Sequence, residues 1–173
     1  MKRSFRKKIT LTLMVSAAAM AMLLTGCGNP RIPKDWYEAT LDYYREGFSN
    51  GWKNERDDLF IQEDLKNGSG DYGYLLRDLD GDGASEVLIG FNDGFDATKF
   101  CDVYIWHRDF GAMRVFTCGE GYYMYLCNDN VLRMDSWRGS ETEIRYMVYD
   151  SGDNSWPIVD GGSEPLKLDL TEF

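Results

Sequence analysis

The chain has almost no histidine: His107 stands alone among 173 residues. An imidazole-based zinc site therefore lacks ligands. A Ser/His/Asp triad would rest on that one residue, and no serine sits in a nucleophile elbow to receive it. Basic residues are also scarce, 19 Lys and Arg against 29 Asp and Glu, and five of the 19 fall within the first eight positions. A surface so poor in positive charge excludes binding to nucleic acid or to anionic lipid headgroups. No fixed-period repeat is present, which argues against a solenoid or a propeller.

The basic residues that do exist are concentrated where acidic ones are missing. Lys2, Arg3, Arg6, Lys7 and Lys8 open the chain, and no Asp or Glu precedes Cys27. Residues 9–24 are apolar or small, diluted only by Thr10, Thr12 and Ser16. This is the basic-then-apolar layout of a secretory signal. The run is close to the roughly 20 residues needed to span a bilayer, but an uncleaved anchor has no use for a cysteine at its end. The ending Leu24-Thr25-Gly26-Cys27 resembles the lipobox of bacterial lipoproteins. The resemblance implies cleavage after Gly26, a diacylglyceryl thioether on Cys27, and attachment to the extracytoplasmic face of the cell membrane. Two or three acyl chains, at about 0.8 kcal/mol per buried methylene, hold firmly where one is marginal. The expected organisation is a signal peptide over 1–26, a lipidated tether over 27–33 broken by Gly28, Asn29 and Pro30, and a single globular domain over 34–173.

Removing the five basic residues of the signal takes the formal net charge from −10 to −15 for the 147 residues that remain. That charge suits cation binding and solubility outside the cell. Abundant Tyr, Trp and Phe favour strands. Asp35 and Glu38 have capping-box spacing, and Tyr37, Leu41, Tyr44 and Phe48 follow as one helical stripe, predicting a helix over 36–48. A short second helix over 57–65 is expected before the loop Asn67-Gly68-Ser69-Gly70. From Tyr72 the period becomes two, with strands expected near 72–76, 87–91, 101–107, 112–118, 122–127, 130–135 and 142–149. No helical segment separates them, so neighbours are antiparallel. The expected fold is α+β, mainly antiparallel β: an N-terminal helix packed on a meander of about six to eight strands.

Asp78-Leu79-Asp80-Gly81-Asp82-Gly83-Ala84-Ser85-Glu86 is the segment that carries chemistry. Carboxylates at positions 1, 3 and 5 converge when the chain curls, and glycine at position 6 permits the sharp turn of an EF-hand-like calcium loop. Asp78, Asp80 and Asp82 supply side-chain oxygens, the Ala84 carbonyl fills position 7, and Glu86 stands at position 9. The bidentate glutamate of an EF-hand is missing, because position 12 is Ile89, and the flanks alternate as strands. The loop resembles the calcium-binding β-hairpin of the integrin-type and VCBS/FG-GAP propeller families. By that resemblance Asp78, Asp80, Asp82 and Glu86 are side-chain ligands and Ala84 gives a backbone oxygen. The blade repeats and the Phe-Gly and Gly-Ala-Pro signatures of those propellers are absent, so the likeness extends to the hairpin alone. Residues 74–90 also resemble a loop of small lipoproteins from Gram-positive gut bacteria.

Cys101 and Cys118 add a smaller expectation. A hairpin over Arg108–Gly111 pairs His107 with Ala112 and, counting outward, Cys101 with Cys118. The two then stand opposite as a candidate disulfide or as two buried thiols, and a bridge would add about 3 kcal/mol. Cys127 is left as a single core thiol. Trp137, Trp156 and Tyr146 serve either core packing or stacking on sugar rings. Together these features point to a non-catalytic, calcium-stabilised binding or interaction module, with a glycan or protein ligand at the cell surface. The alternative is a secreted enzyme acting on glycans through two carboxylates.

Overall fold

Eight strands, nearly all foreseen by the period-two alternation, make one antiparallel sheet in the computed structural model. The structure describes residues 33, 35–53, 61–67, 70–92, 94, 96–119 and 121–173. The signal, the lipobox and Cys27 lie outside these residues, as do residues 57–60 of the helix expected over 57–65. The chain divides after Pro33, and the described helices and strands all belong to the unit Lys34–Phe173.

Helix α1 spans Glu38–Asn50 and buries Leu41, Tyr44 and Gly47. The expected capping box does not form: Tyr37, in right-handed helical conformation, is the N-cap, and no side chain caps the helix. Asp35 instead closes a preceding turn by accepting the Glu38 N–H with its carbonyl, 3.1 Å. The Glu38 carboxylate turns outward to Arg45, 3.3 Å. A four-residue turn of helix, α2, covers Glu63–Lys66.

The strands are β1 (Asp71–Arg77), β2 (Glu86–Asn92), β3 (Lys99–His107), β4 (Gly111–Thr117), β5 (Tyr122–Leu126), β6 (Leu132–Arg138), β7 (Glu141–Met147) and β8 (Ile158–Val159). They are ordered β1-β2-β3-β5-β6-β7-β8, with β4 paired to β3 off that path. The sheet is therefore not a simple meander. Strand β3 is long enough to pair with β4 from Asp102 to His107 and still meet β5 at Phe100 opposite Met124. Strand β6 starts later than expected because Asn128–Asn130 form a 3₁₀ turn with Asp129 and Asn130 at positive φ.

Both faces of β3 are buried. One carries Tyr104 and Asp102 against Tyr44 of α1. The other contributes Phe100, Val103 and Ile105 to a core with Leu88, Met124, Leu126, Leu132 and Tyr149. The C-terminal segment closes this core. Leu166 N–H donates to Leu126 O, Thr98 N–H donates to Leu166 O, and Thr171 bonds Tyr74 in both directions. Gly73 permits that approach, since a methyl there would run into the Thr171 carbonyl.

The β3–β4 register differs from the expectation at the turn and agrees with it at the far end. His107 pairs with Gly111, not Ala112, because the turn is one residue shorter. A bulge between Val103 and Tyr104 then absorbs one residue, so that Asp102 meets Thr117. Cys118 N–H donates to Cys101 O at 2.7 Å, and the two cysteines do lie opposite. Both are buried free thiols, as is Cys127. No helix among the described residues is long and apolar enough to cross a membrane.

Candidate metal centre

Strands β1 and β2 pair in continuous register from Asp71–Asn92 to Arg77–Glu86, which places residues 78–85 as the loop that closes their hairpin. Gly81 and Gly83 take φ of 79° and 88°, a left-handed region that costs glycine little and other residues more. These two reversals fold the loop back on its own carboxylates. Asp78 accepts the Gly81 N–H with Oδ1, 2.7 Å, and the Gly83 N–H with Oδ2, 3.0 Å. Asp80 Oδ1 accepts from the Asp82 N–H at 3.1 Å, and Asp82 Oδ1 from the Ala84 N–H at 2.7 Å. Glu86 Oε2 accepts the Leu79 N–H at 2.7 Å.

The result is a cluster in which one oxygen each of Asp78, Asp80 and Glu86 lie within 4.8 Å of one another. These three could hold a metal ion. Asp82 stands outside the trio, and its carboxylate serves the turn. Ala84 lies in the same turn through its N–H. A carboxylate oxygen has two lone pairs, so one backbone N–H does not exhaust it.

The electrostatics of the cluster are unbalanced. Glu86 is only 5% exposed. Its pKa is pushed up to about 7, first by burial and then, against the Leu79 N–H, by the charges of Asp80, Asp82 and Asp78. Asp80 Oδ2 is buried with no hydrogen-bond partner, a costly state for a carboxylate oxygen. The field reaches the core: Tyr149 is pushed up to about 12 by burial, then by Glu86, Asp80 and Asp82. Among the described residues no ion pair reaches the loop. The other buried carboxylates are answered by arginine: Asp102 by Arg114 at 3.3 Å and Asp135 by Arg133 at 2.7 Å.

Three contributors were not read from the sequence. Asn130, in the turn between β5 and β6, donates to the Asp78 carbonyl at 2.6 Å and accepts from Arg77 Nε at 2.8 Å, fixing the start of the loop. Tyr149 belongs to the same core cluster as Leu79 of the loop and donates to Asn154 Oδ1 at 3.2 Å. Asp102, 1% exposed, accepts from Tyr44 at 2.6 Å and joins helix to sheet. Only its apolar neighbourhood, Phe100 to Ile105, hinted at burial. His107 accepts the Asp109 N–H and stacks on Phe110 in a turn. Trp156 packs on Tyr149 and Phe116.

Compared with known proteins, the chain matches no family model, no curated protein and no solved structure.

Proposed function

We propose that the protein is a membrane-anchored extracytoplasmic lipoprotein whose β-rich domain is a calcium-stabilised, non-catalytic binding module. Cys27 carries the lipid after removal of residues 1–26, and 27–33 tether the domain. Calcium is held by Asp78, Asp80 and Glu86, with Asp82 and the Ala84 carbonyl completing the shell. The observation that carries the metal reading is Asp80 Oδ2, a buried carboxylate oxygen with no partner inside an uncompensated cluster. A cation supplies what the fold does not. Hard oxygen donors on a flexible loop favour calcium over magnesium, which demands a tighter octahedral shell.

The binding reading is preferred over the glycan-cleaving enzyme because the buried Asp135 is committed. Both its oxygens are taken by Arg133, at 2.7 and 2.8 Å, which leaves it unsuited to acid–base work. At about 1 mM calcium and a Kd of about 0.1 mM, ordinary for an extracellular module, linkage is worth about 1.4 kcal/mol. That steadies a hairpin and does not replace a core.

Calorimetry on the protein should find one calcium site, lost in Asp80→Ala and weakly filled by magnesium. No heat at millimolar calcium would end the metal reading. Alkyne fatty-acid labelling of cells should tag the wild type and not Cys27→Ala, and equal labelling of both would end the lipoprotein reading.

A further inference from the structure

The outer face of strands β5, β6 and β7 is unusual for a solvent-facing sheet surface. Register pairs Tyr123 with Asp135 and Tyr125 with Arg133, then Arg133 with Tyr146 and Asp135 with Ile144. Antiparallel partners share a face, so a buried ion pair stands among three tyrosines. Trp137, 40% exposed, joins the same face against Tyr123, centroids 5.3 Å apart. Next to this array a cavity of about 580 Å³ opens, whose lining includes Tyr125, Arg133, Asp135, Lys99, Glu164 and Asp96. The volume is that of a small-ligand pocket.

The polar groups are preorganised. Arg133 grips Asp135 through Nε and Nη2, 2.7 and 2.8 Å, with Nη1 3.8 Å from the exposed Glu164. Its guanidinium lies 5.9 Å from the Tyr125 ring centre. Lys99 Nζ lies 4.4 Å from that of Tyr123. Three carboxylates face two cations, and the central charges already answer each other. An anionic ligand would compete with Asp135 for Arg133, and a cationic one would compete with Arg133 for Asp135. A neutral ligand bearing neighbouring hydroxyls displaces neither. It donates to spare carboxylate lone pairs, accepts from guanidinium N–H, and lays its C–H face on a tyrosine ring.

We propose that this pocket binds a neutral sugar ring, with Tyr125 as the stacking platform and the Arg133–Asp135 pair as the hydroxyl-recognising group. The proposal rests on the reading of the domain as a surface binding module. No catalytic step is involved.

The test uses the full chain in a polyoxyethylene detergent, which has no sugar headgroup, and saturation-transfer NMR. The probes are cellotriose, maltotriose, xylotriose and chitotriose, with trigalacturonate as the anionic probe and diglycine as the zwitterionic one. At least one neutral trisaccharide should bind in the millimolar range or tighter. Tyr125→Ala should weaken it about tenfold, whereas Tyr125→Phe, which keeps the ring, should not. Far-ultraviolet circular dichroism and the calcium response check that both variants fold. The proposal is overturned if no neutral trisaccharide binds at millimolar concentration, if a charged probe binds in preference, or if folded Tyr125→Ala binds as the wild type does. Sedimentation with purified bacterial cell walls separates the two levels. If the wild type and Tyr125→Ala sediment alike, the pocket is wrong and the binding module stands. If the wild type does not sediment, the module reading fails.

Discussion

Two groups of buried carboxylates in this domain meet opposite fates. Asp102 is paired with Arg114 across β3 and β4, and Asp135 with Arg133 two residues away on β6. Glu86 and Asp80 crowd together with no ion pair to a cationic side chain among the described residues, and one Asp80 oxygen has no hydrogen-bond partner. The first group is complete within the chain, and the second belongs to a cluster that could hold an ion. Removing a carboxylate should therefore be costly in the first group at any calcium level. In the second, removal of Asp80 should matter only when calcium is present.

The largest effect should come from Asp102→Ala in residues 28–173. It leaves the Tyr44 hydroxyl with Tyr104 alone and removes the 3.3 Å ion pair to the mostly buried Arg114, at a cost of about 3 kcal/mol. Urea unfolding should show this loss equally with calcium and with chelator. Asp102→Asn, which keeps an acceptor for Tyr44, should lose less. A loss seen only with calcium would break the division between the two groups.

Next in size is the calcium increment. Calcium should raise the melting temperature by about 3–6 °C, the equivalent of about 1.4 kcal/mol for a chain of this length. Asp80→Ala should remove most of the rise. In chelator the same variant should be as stable as the wild type or more so, because it deletes a buried oxygen that nothing satisfies. A destabilised metal-free Asp80→Ala would mean that the carboxylate holds the turn, not an ion.

This contrast also explains what the sequence made legible. The loop is contiguous: alternating carboxylates and two glycines write both the turn and the cluster into nine residues. Strands were legible for the same local reason, period-two alternation broken by turn residues. Spacing alone does not say which carboxylates come closest: the trio is Asp78, Asp80 and Glu86, while Asp82 Oδ1 takes the Ala84 N–H. The Asp102 partners lie 58 and 12 residues away, and no local pattern announces them. The cysteine pairing was reached through a register that fails at the turn, where Gly111 pairs with His107, and is restored by the bulge. Under oxidation Cys101 should therefore join Cys118, and peptide mapping that links either to Cys127 would contradict the strand pairing. The capping box failed because Tyr37 already occupies the cap in helical conformation.

The smallest predicted effect joins the two halves of the comparison. Asn130 belongs to the β5–β6 turn, yet it holds the first residue of the loop through the Asp78 carbonyl at 2.6 Å. It adopts φ of 57°, so alanine would add backbone strain, and Asn130→Gly is the cleaner deletion. Groups that orient metal ligands typically contribute tenfold or more to affinity, and a surface loop belongs near the low end of that range. Calcium Kd should rise about tenfold, which shrinks the linkage at about 1 mM calcium from about 1.4 to about 0.4 kcal/mol. Metal-free stability should change less, because Asn130 makes its bonds at the partly exposed rim of the sheet. Calorimetry and thermal melts on the same sample separate the two quantities. If Asn130→Gly leaves calcium affinity unchanged, the loop organises itself from its own nine residues, and the contrast between a local metal site and a nonlocal core becomes sharper.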